Sequence, residues 1–109
     1  MEKRNIFVHN IIESKEEVFE KIISDKNFFV ERIISSGQRS AEGFWYNQEQ
    51  SEWVIVLQGN AKIEFEDDVI LELNVGDYVL IPPHKKHRVI ETSQIEKTIW
   101  LAIHYFTDK

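Results

Sequence analysis

Two histidines, His84 and His87, bracket a lysine pair in GDYVLIPPHKKHRV, residues 76–89. A neutral imidazole can ligate a transition metal, and its ordinary proton affinity lies near neutral pH, so the same side chain can also carry a proton during catalysis. A third histidine, His104, lies in TIWLAIHYF (98–106), on the strand face it shares with Trp100 and Ala102. Each has a plainer explanation. His84, between Pro83 and Lys85, reads as an exposed loop residue, and His104 as a core histidine satisfied by a hydrogen bond. The remaining histidine, His9, has no supporting context. The chain has no cysteine. That removes thiolate ligands, cysteine nucleophiles and disulfide scaffolds, and it fits a reducing compartment. Any metal would rest on imidazole, carboxylate and amide oxygen, and it would need three or four of them at about 2.0–2.3 Å. A second chemistry needs no metal. Trp45, Tyr46, Trp53 and Trp100 are a heavy aromatic supply for 109 residues. Such side chains wall small-molecule pockets, although at strand positions they more often fill a core or an interface.

Composition narrows the partners. The formal net charge is −6, whereas a nucleic-acid partner rewards clustered Lys and Arg. No apolar run approaches the ~18–20 residues of a membrane span, and MEKRNIFVHN lacks the apolar stretch and small-residue cleavage site of a secretion signal. The expectation is a cytoplasmic domain with no nucleic-acid or membrane partner. Gly and Pro are sparse and no linker or repeat is visible, so one domain should cover 1–109.

The elements that must position these residues are mostly strands. Ser14 and Glu17 have capping-box spacing, and Val18, Phe19, Ile22 and Ile23 recur at helical intervals, which predicts a short N-terminal helix over 14–24. Beyond Asn27 the period changes. Residues 28–35, 44–46, 51–58, 61–67, 69–74, 78–82, 87–92 and 98–106 read as strands, rich in β-branched and aromatic residues or alternating in polarity. Gly59-Asn60 sits where a hairpin turn would join 51–58 to 61–67. Pro82-Pro83 cannot donate ladder hydrogen bonds, so the pair ends one strand and aims the chain into the next, which begins at His87. Many short strands at this spacing predict an all-β sandwich or barrel.

The spacing also resembles a known family. Glu52, six residues and Gly59 match the end of the first cupin motif. Gly76, five residues, Pro82 and then His87 match the second. The resemblance covers about residues 28–106 and implies a double-stranded β-helix, or jelly-roll barrel, with the N-terminal helix as a cover. Cupins hold a metal with His-x-His and Glu of the first motif and His of the second. Here the His-x-His falls on Tyr46-x-Gln48 or Trp45-x-Asn47, a Gly of the second motif is His84, and its Asn is Glu91.

The resemblance therefore implies a metal set reduced to Glu52 and His87; by ligand chemistry the amide oxygen of Gln48 or Asn47, or the rings of His84 and His104, are the candidates to complete it. Trp45, Tyr46, Asn47, His84, Glu91 and His104 are expected around the pocket. Its cofactor would be one divalent transition ion, Fe, Mn, Ni or Zn. The first expectation for function is a small-molecule-binding cupin with a remodelled metal site. The alternative is a metal-dependent enzyme of oxygenase or isomerase type. Residues 51–58 are apolar on both faces, Val54 and Val56 on one and Trp53, Ile55 and Leu57 on the other. That strand needs a cover outside as well as a core inside, and small cupins resembling this one are often homodimers.

Overall fold

In the computed structural model, residues 1–12 and 14–107 are described. Eight strands form two antiparallel sheets: β1 Val18–Ser24, β2 Phe28–Ser35, β3 Ser51–Gln58, β4 Ala61–Phe65, β5 Ile70–Leu73, β6 Tyr78–Ile81, β7 His87–Thr92 and β8 Thr98–Tyr105. The larger sheet runs β1-β2-β8-β3-β6 and the smaller β5-β4-β7. Their inner faces close on a core of Ile33, Val54, Val56, Ile63, Phe65, Ile81, Trp100 and Ala102. Each fully buried side chain of this size contributes roughly 1.5–3 kcal/mol, the driving term for the packing of one sheet on the other. This is the jelly-roll arrangement expected of the strand pattern. Among the described residues, no helix is long and apolar enough to cross a membrane.

The expected N-terminal helix is absent, and its residues form β1 instead. β1 pairs antiparallel with β2 from Val18↔Ile34 to Ser24↔Phe29, with a register shift between Lys21 and Ile23. That irregularity explains the misleading pattern. Apolar residues at 18, 19, 22 and 23 fit a helical stripe, but one extra residue in a bulged strand produces the same spacing. Ser14 does bind a backbone N–H, but that of Glu16 at 3.3 Å, which closes a turn rather than capping a helix. Glu17 turns away from the backbone altogether and hydrogen-bonds the hydroxyl of Ser35.

The predicted hairpin at Gly59-Asn60 is also overturned. β3 and β4 belong to different sheets, so these two residues carry the chain from one layer to the other. Gly59 has φ of +81°, and a Cβ there would lie 2.4 Å from Thr98 Oγ1 and 2.8 Å from Thr98 Cα. The glycine serves a close crossing beneath β8 rather than a two-residue turn. The stretch 44–46 is not a strand but contributes a single bridge, Tyr46↔His87.

The double proline behaves as its chemistry requires. β6 stops at Ile81, immediately before Pro82. His84 then takes a left-handed conformation, φ 63°, and its N–H donates to Gln48 O at 2.7 Å. The cupin motif has glycine at this position; here a histidine keeps the conformation at a cost of about 1 kcal/mol. The turn delivers His87 to the start of β7, where it exchanges two backbone hydrogen bonds with Tyr46, at 2.7 and 3.2 Å.

Candidate ligand pocket

Three neighbouring strands of the larger sheet present polar side chains to the barrel interior. In strands, alternate residues share a face. Phe29, Glu31 and Ile33 therefore point inward from β2, Glu52, Val54 and Val56 from β3, and Trp100, Ala102 and His104 from β8. His104 is the cross-strand partner of both Phe29 and Glu52. His87 faces them from β7 of the smaller sheet. Between these walls is a cavity of about 90 Å³, lined by Glu17, Glu31, Tyr46, Gln48, Glu52, His87, His104 and apolar side chains. Trp100, Ile33, Val54, Ile63, Ile81 and Val89 supply most of the apolar wall. Phe19 of β1, 51% exposed, marks where the cavity meets solvent.

The polar groups form two imidazole–carboxylate pairs. His104 Nε2 donates to Glu31 Oε1 at 2.9 Å, and its Nδ1 lies 3.5 Å from the amide nitrogen of Gln50. Phe29 stacks on the same ring with centroids 4.4 Å apart. The second pair is looser. His87 Nε2 lies 3.6 Å from Glu52 Oε1, beyond hydrogen-bond length. His87 Nδ1 is 2.9 Å from the carbonyl oxygen of Lys85, which can only accept, so Nδ1 carries the proton. Nε2 lies on the cavity side and, when the ring carries its second proton, points an N–H at the Glu52 carboxylate. The pairs communicate through Glu52, whose Oε2 lies 3.9 Å from His104 Nε2.

Burial alone would raise the proton affinity of Glu52. The His87 imidazole, the charge of His104 and the Gln48 amide, which donates to Oε1 at 2.9 Å, together outweigh it and hold the carboxyl below its ordinary value. Tyr46 moves the other way. Burial, followed by the charges of Glu17, Glu52 and Glu31, pushes its phenol up, so it stays protonated at neutral pH. Burial also pushes Glu17 up, partly opposed by its bond to Ser35. Ser35 in turn accepts from Trp100 Nε1 at 3.0 Å.

The expected site residues divide cleanly. Tyr46, Gln48, Glu52, His87 and His104 line one cavity. Trp45, Asn47, His84 and Glu91 do not. Trp45 lies on the outside with Arg88 over its ring at 5.6 Å, and exposed Asn47 meets exposed His84 at 3.2 Å. Glu91 is exposed and pairs with Lys62 at 3.7 Å. Of the two possible registers for the first motif, 46/48 faces inward, and a slip of one residue sends 45/47 to the opposite face. Sequence reasoning missed Glu31 and Glu17. Glu31 could have been found as the one charged residue on the inward period of 29, 31 and 33.

A family model for the cupin domain matches residues 32–104. The chain belongs to the cupin family. Solved cupin structures resemble it over most of its length. A Ralstonia eutropha JMP134 protein, provisionally assigned as a mannose-6-phosphate isomerase, is 39% identical, with a TM-score of 0.93 over 97% of this chain and 99% of that one. A cupin superfamily protein from Desulfitobacterium hafniense DCB-2 gives 0.74 at 16% identity over 90% and 84%. An RmlC-like cupin from Shewanella frigidimarina NCIMB 400 gives 0.68 at 18% over 85% and 78%. The latter two speak to the fold alone. No curated protein matches the chain.

Cupins commonly bind a metal, but the donor set of this cupin does not fit the family's ion. Tyr46, a phenol held protonated, and Gln48, whose amide nitrogen is turned to Glu52, stand where the His-x-His pair would be. His104 is committed to Glu31. Among the described residues no group of three His, Asp or Glu side chains converges as a metal site.

Proposed function

We propose that this cupin binds a small molecule in its barrel, with Glu52 and His87 as the polar anchors and the Trp100 side of the cavity as the apolar wall. The observation that carries this reading is the state of His87. Its side chain is 6% exposed, its Nδ1 is occupied by a carbonyl, and its Nε2 meets only a carboxylate at 3.6 Å. A buried imidazole held at one nitrogen and left open at the other is a ready contact for a ligand.

The alternative is a metal-dependent cupin enzyme in which Glu52 and His87 hold an ion with replacement ligands. It gains some support from the isomerase assignment of the Ralstonia protein. A hexose phosphate, however, matches this cavity poorly. Drug-sized ligands occupy roughly 300–1,000 Å³, against about 90 Å³ here, and no Lys or Arg is among the lining residues to meet a phosphate.

Thermal melting against a panel of small metabolites tests the binding reading. At least one compound should raise the melting temperature of the wild-type chain and lose that effect in both Glu52→Gln and His87→Ala. If every shift persists in both variants, the barrel pocket is not where ligands bind. The homodimer carries over as a proposal. Tyr78 and Leu80 on β6 are 65% and 53% exposed, beside Trp53, on the outer face of the larger sheet. A monomer in sedimentation equilibrium would dispose of it.

A further inference from the structure

Polar groups inside a protein are normally hydrogen-bonded, so an unpartnered one in a cavity asks for a reason. Of the polar side chains that line this cavity, all but one have a protein partner. Glu17 accepts from Ser35, and Trp100 Nε1 donates to the same hydroxyl. Glu31 accepts from His104. Gln48 donates to Glu52 and accepts from Gln50 at 3.1 Å. His87 is held at Nδ1 by the Lys85 carbonyl and faces Glu52 with Nε2. The exception is Tyr46. Among the described residues its hydroxyl has no hydrogen-bond partner.

The ring that carries this hydroxyl is fixed in place. Phe44 meets it edge-on with centroids 4.8 Å apart, His87 stacks on it at 5.4 Å, and the backbones of Tyr46 and His87 exchange two hydrogen bonds. Burial, followed by the charges of Glu17, Glu52 and Glu31, pushes the phenol up, so the hydroxyl shares the space of these cavity groups and keeps its proton. A fixed, protonated phenol without a partner is a donor ready for an acceptor. An ammonium can only donate, so it would leave the phenol's proton unplaced. A carboxylate would meet three glutamates with no Lys or Arg among the lining residues. Most of the remaining wall, Trp100, Val54, Ile63, Ile81 and Val89, is apolar. Volume sets the size. A dry cavity of about 150 Å³ holds benzene, whereas this one has about 90 Å³.

Resting on the reading of the barrel as a small-molecule pocket, we infer that Tyr46 Oη is the hydrogen-bond donor to the ligand, and that the ligand is a small neutral carbonyl compound, a ketone or amide of about four or five heavy atoms. Its oxygen accepts from Tyr46 beside the Glu52–His87 pair, and its carbon end lies against the apolar wall. The carbonyl brings an acceptor to the one unpartnered donor and adds no charge to a cavity whose carboxylates already have their partners.

Acetone, acetate and isopropylammonium share one small branched shape and differ in charge and in what they can accept. Titration of each into the nitrogen-15-labelled full chain, read at the Trp100 indole N–H signal, tests the assignment. Acetone should bind, and neither ion should bind at the same concentration. Tyr46→Phe removes only the hydroxyl and should weaken acetone binding roughly three- to tenfold, the worth of one neutral hydrogen bond, with little change in melting temperature. Acetate or isopropylammonium binding as tightly as acetone overturns the assignment, and this ranking in the wild type requires no variant. Equal acetone affinity in the wild type and Tyr46→Phe overturns it as well. If one of the ions binds best and its binding is lost in His87→Ala, the pocket reading stands and only the assignment to Tyr46 fails. If none of the three moves the Trp100 signal at high millimolar concentration, both readings fail.

Discussion

His104 and His87 are each 5% exposed and each faces a glutamate, but only one of them is finished. His104 has partners at both nitrogens, 2.9 Å to Glu31 and 3.5 Å to Gln50, and its ring is stacked on Phe29. Phe29 is itself capped by the ammonium of Lys21, 4.5 Å from its centroid. His87 has one close partner, the Lys85 carbonyl, and one nitrogen that faces a carboxylate at 3.6 Å. The source of the difference is the element that carries each ring. His104 sits mid-sheet between β2 and β3, where neighbours on both sides reach it. His87 starts β7 just after the proline turn, with sheet on one side and cavity on the other. A satisfied buried pair serves the fold, and an incompletely satisfied one is available for function.

Equal truncation of the two rings is the strongest way to break this contrast. His104→Ala removes the partner of a buried carboxylate and the stacked ring and should cost about 3–4 kcal/mol, because it leaves Glu31 uncompensated. His87→Ala leaves Glu52 still bonded to Gln48 and should cost about 1–2 kcal/mol. Urea unfolding of both variants measures the gap, and equal losses would dissolve the distinction.

The two perturbed carboxylates offer a second contrast, in pH. Glu52 has its proton affinity lowered by folding, so its contribution to stability is present above the ordinary carboxylate range and disappears as pH falls through its folded value. The wild-type chain should therefore lose more stability on acidification than Glu52→Gln does. Glu17 has its affinity raised by burial, so the fold prefers it protonated and its favourable contribution is lost as pH rises through its folded value. Glu17→Gln should accordingly stabilise the protein slightly at neutral pH, by less than about 1 kcal/mol because the side chain is partly solvated. A loss of stability at neutral pH in that variant would mean that the Ser35 hydrogen bond outweighs the burial penalty.

The sequence was most legible where backbone chemistry left no choice. Gly59, Gly76, Pro82 and His87 occur at the intervals of the cupin motifs, and the strands of the barrel follow from β-branched runs between them. It misled where two structures share one local pattern. Val18, Phe19, Ile22 and Ile23 suit a helical stripe and a bulged edge strand equally, and pairing with β2 decided between them. Gly59-Asn60 is a hairpin signal, but nothing local tells that the next strand joins another sheet. The pocket was half visible. Glu52 and His87 came from the motifs, whereas Glu31 required knowing that β2 and β8 are neighbours. Glu91 and His84 occupy motif positions but lie exposed on the surface.

The central claim is that Glu52 and His87 form an open pair for a ligand and not the remnant of a metal centre. Elemental analysis of untagged protein, purified under metal-replete conditions, tests it most directly. The predicted result is far less than one Fe, Mn, Ni or Zn per chain, with no difference between the wild type and His87→Ala. One tightly held ion per chain, lost when His87 is replaced, would contradict it.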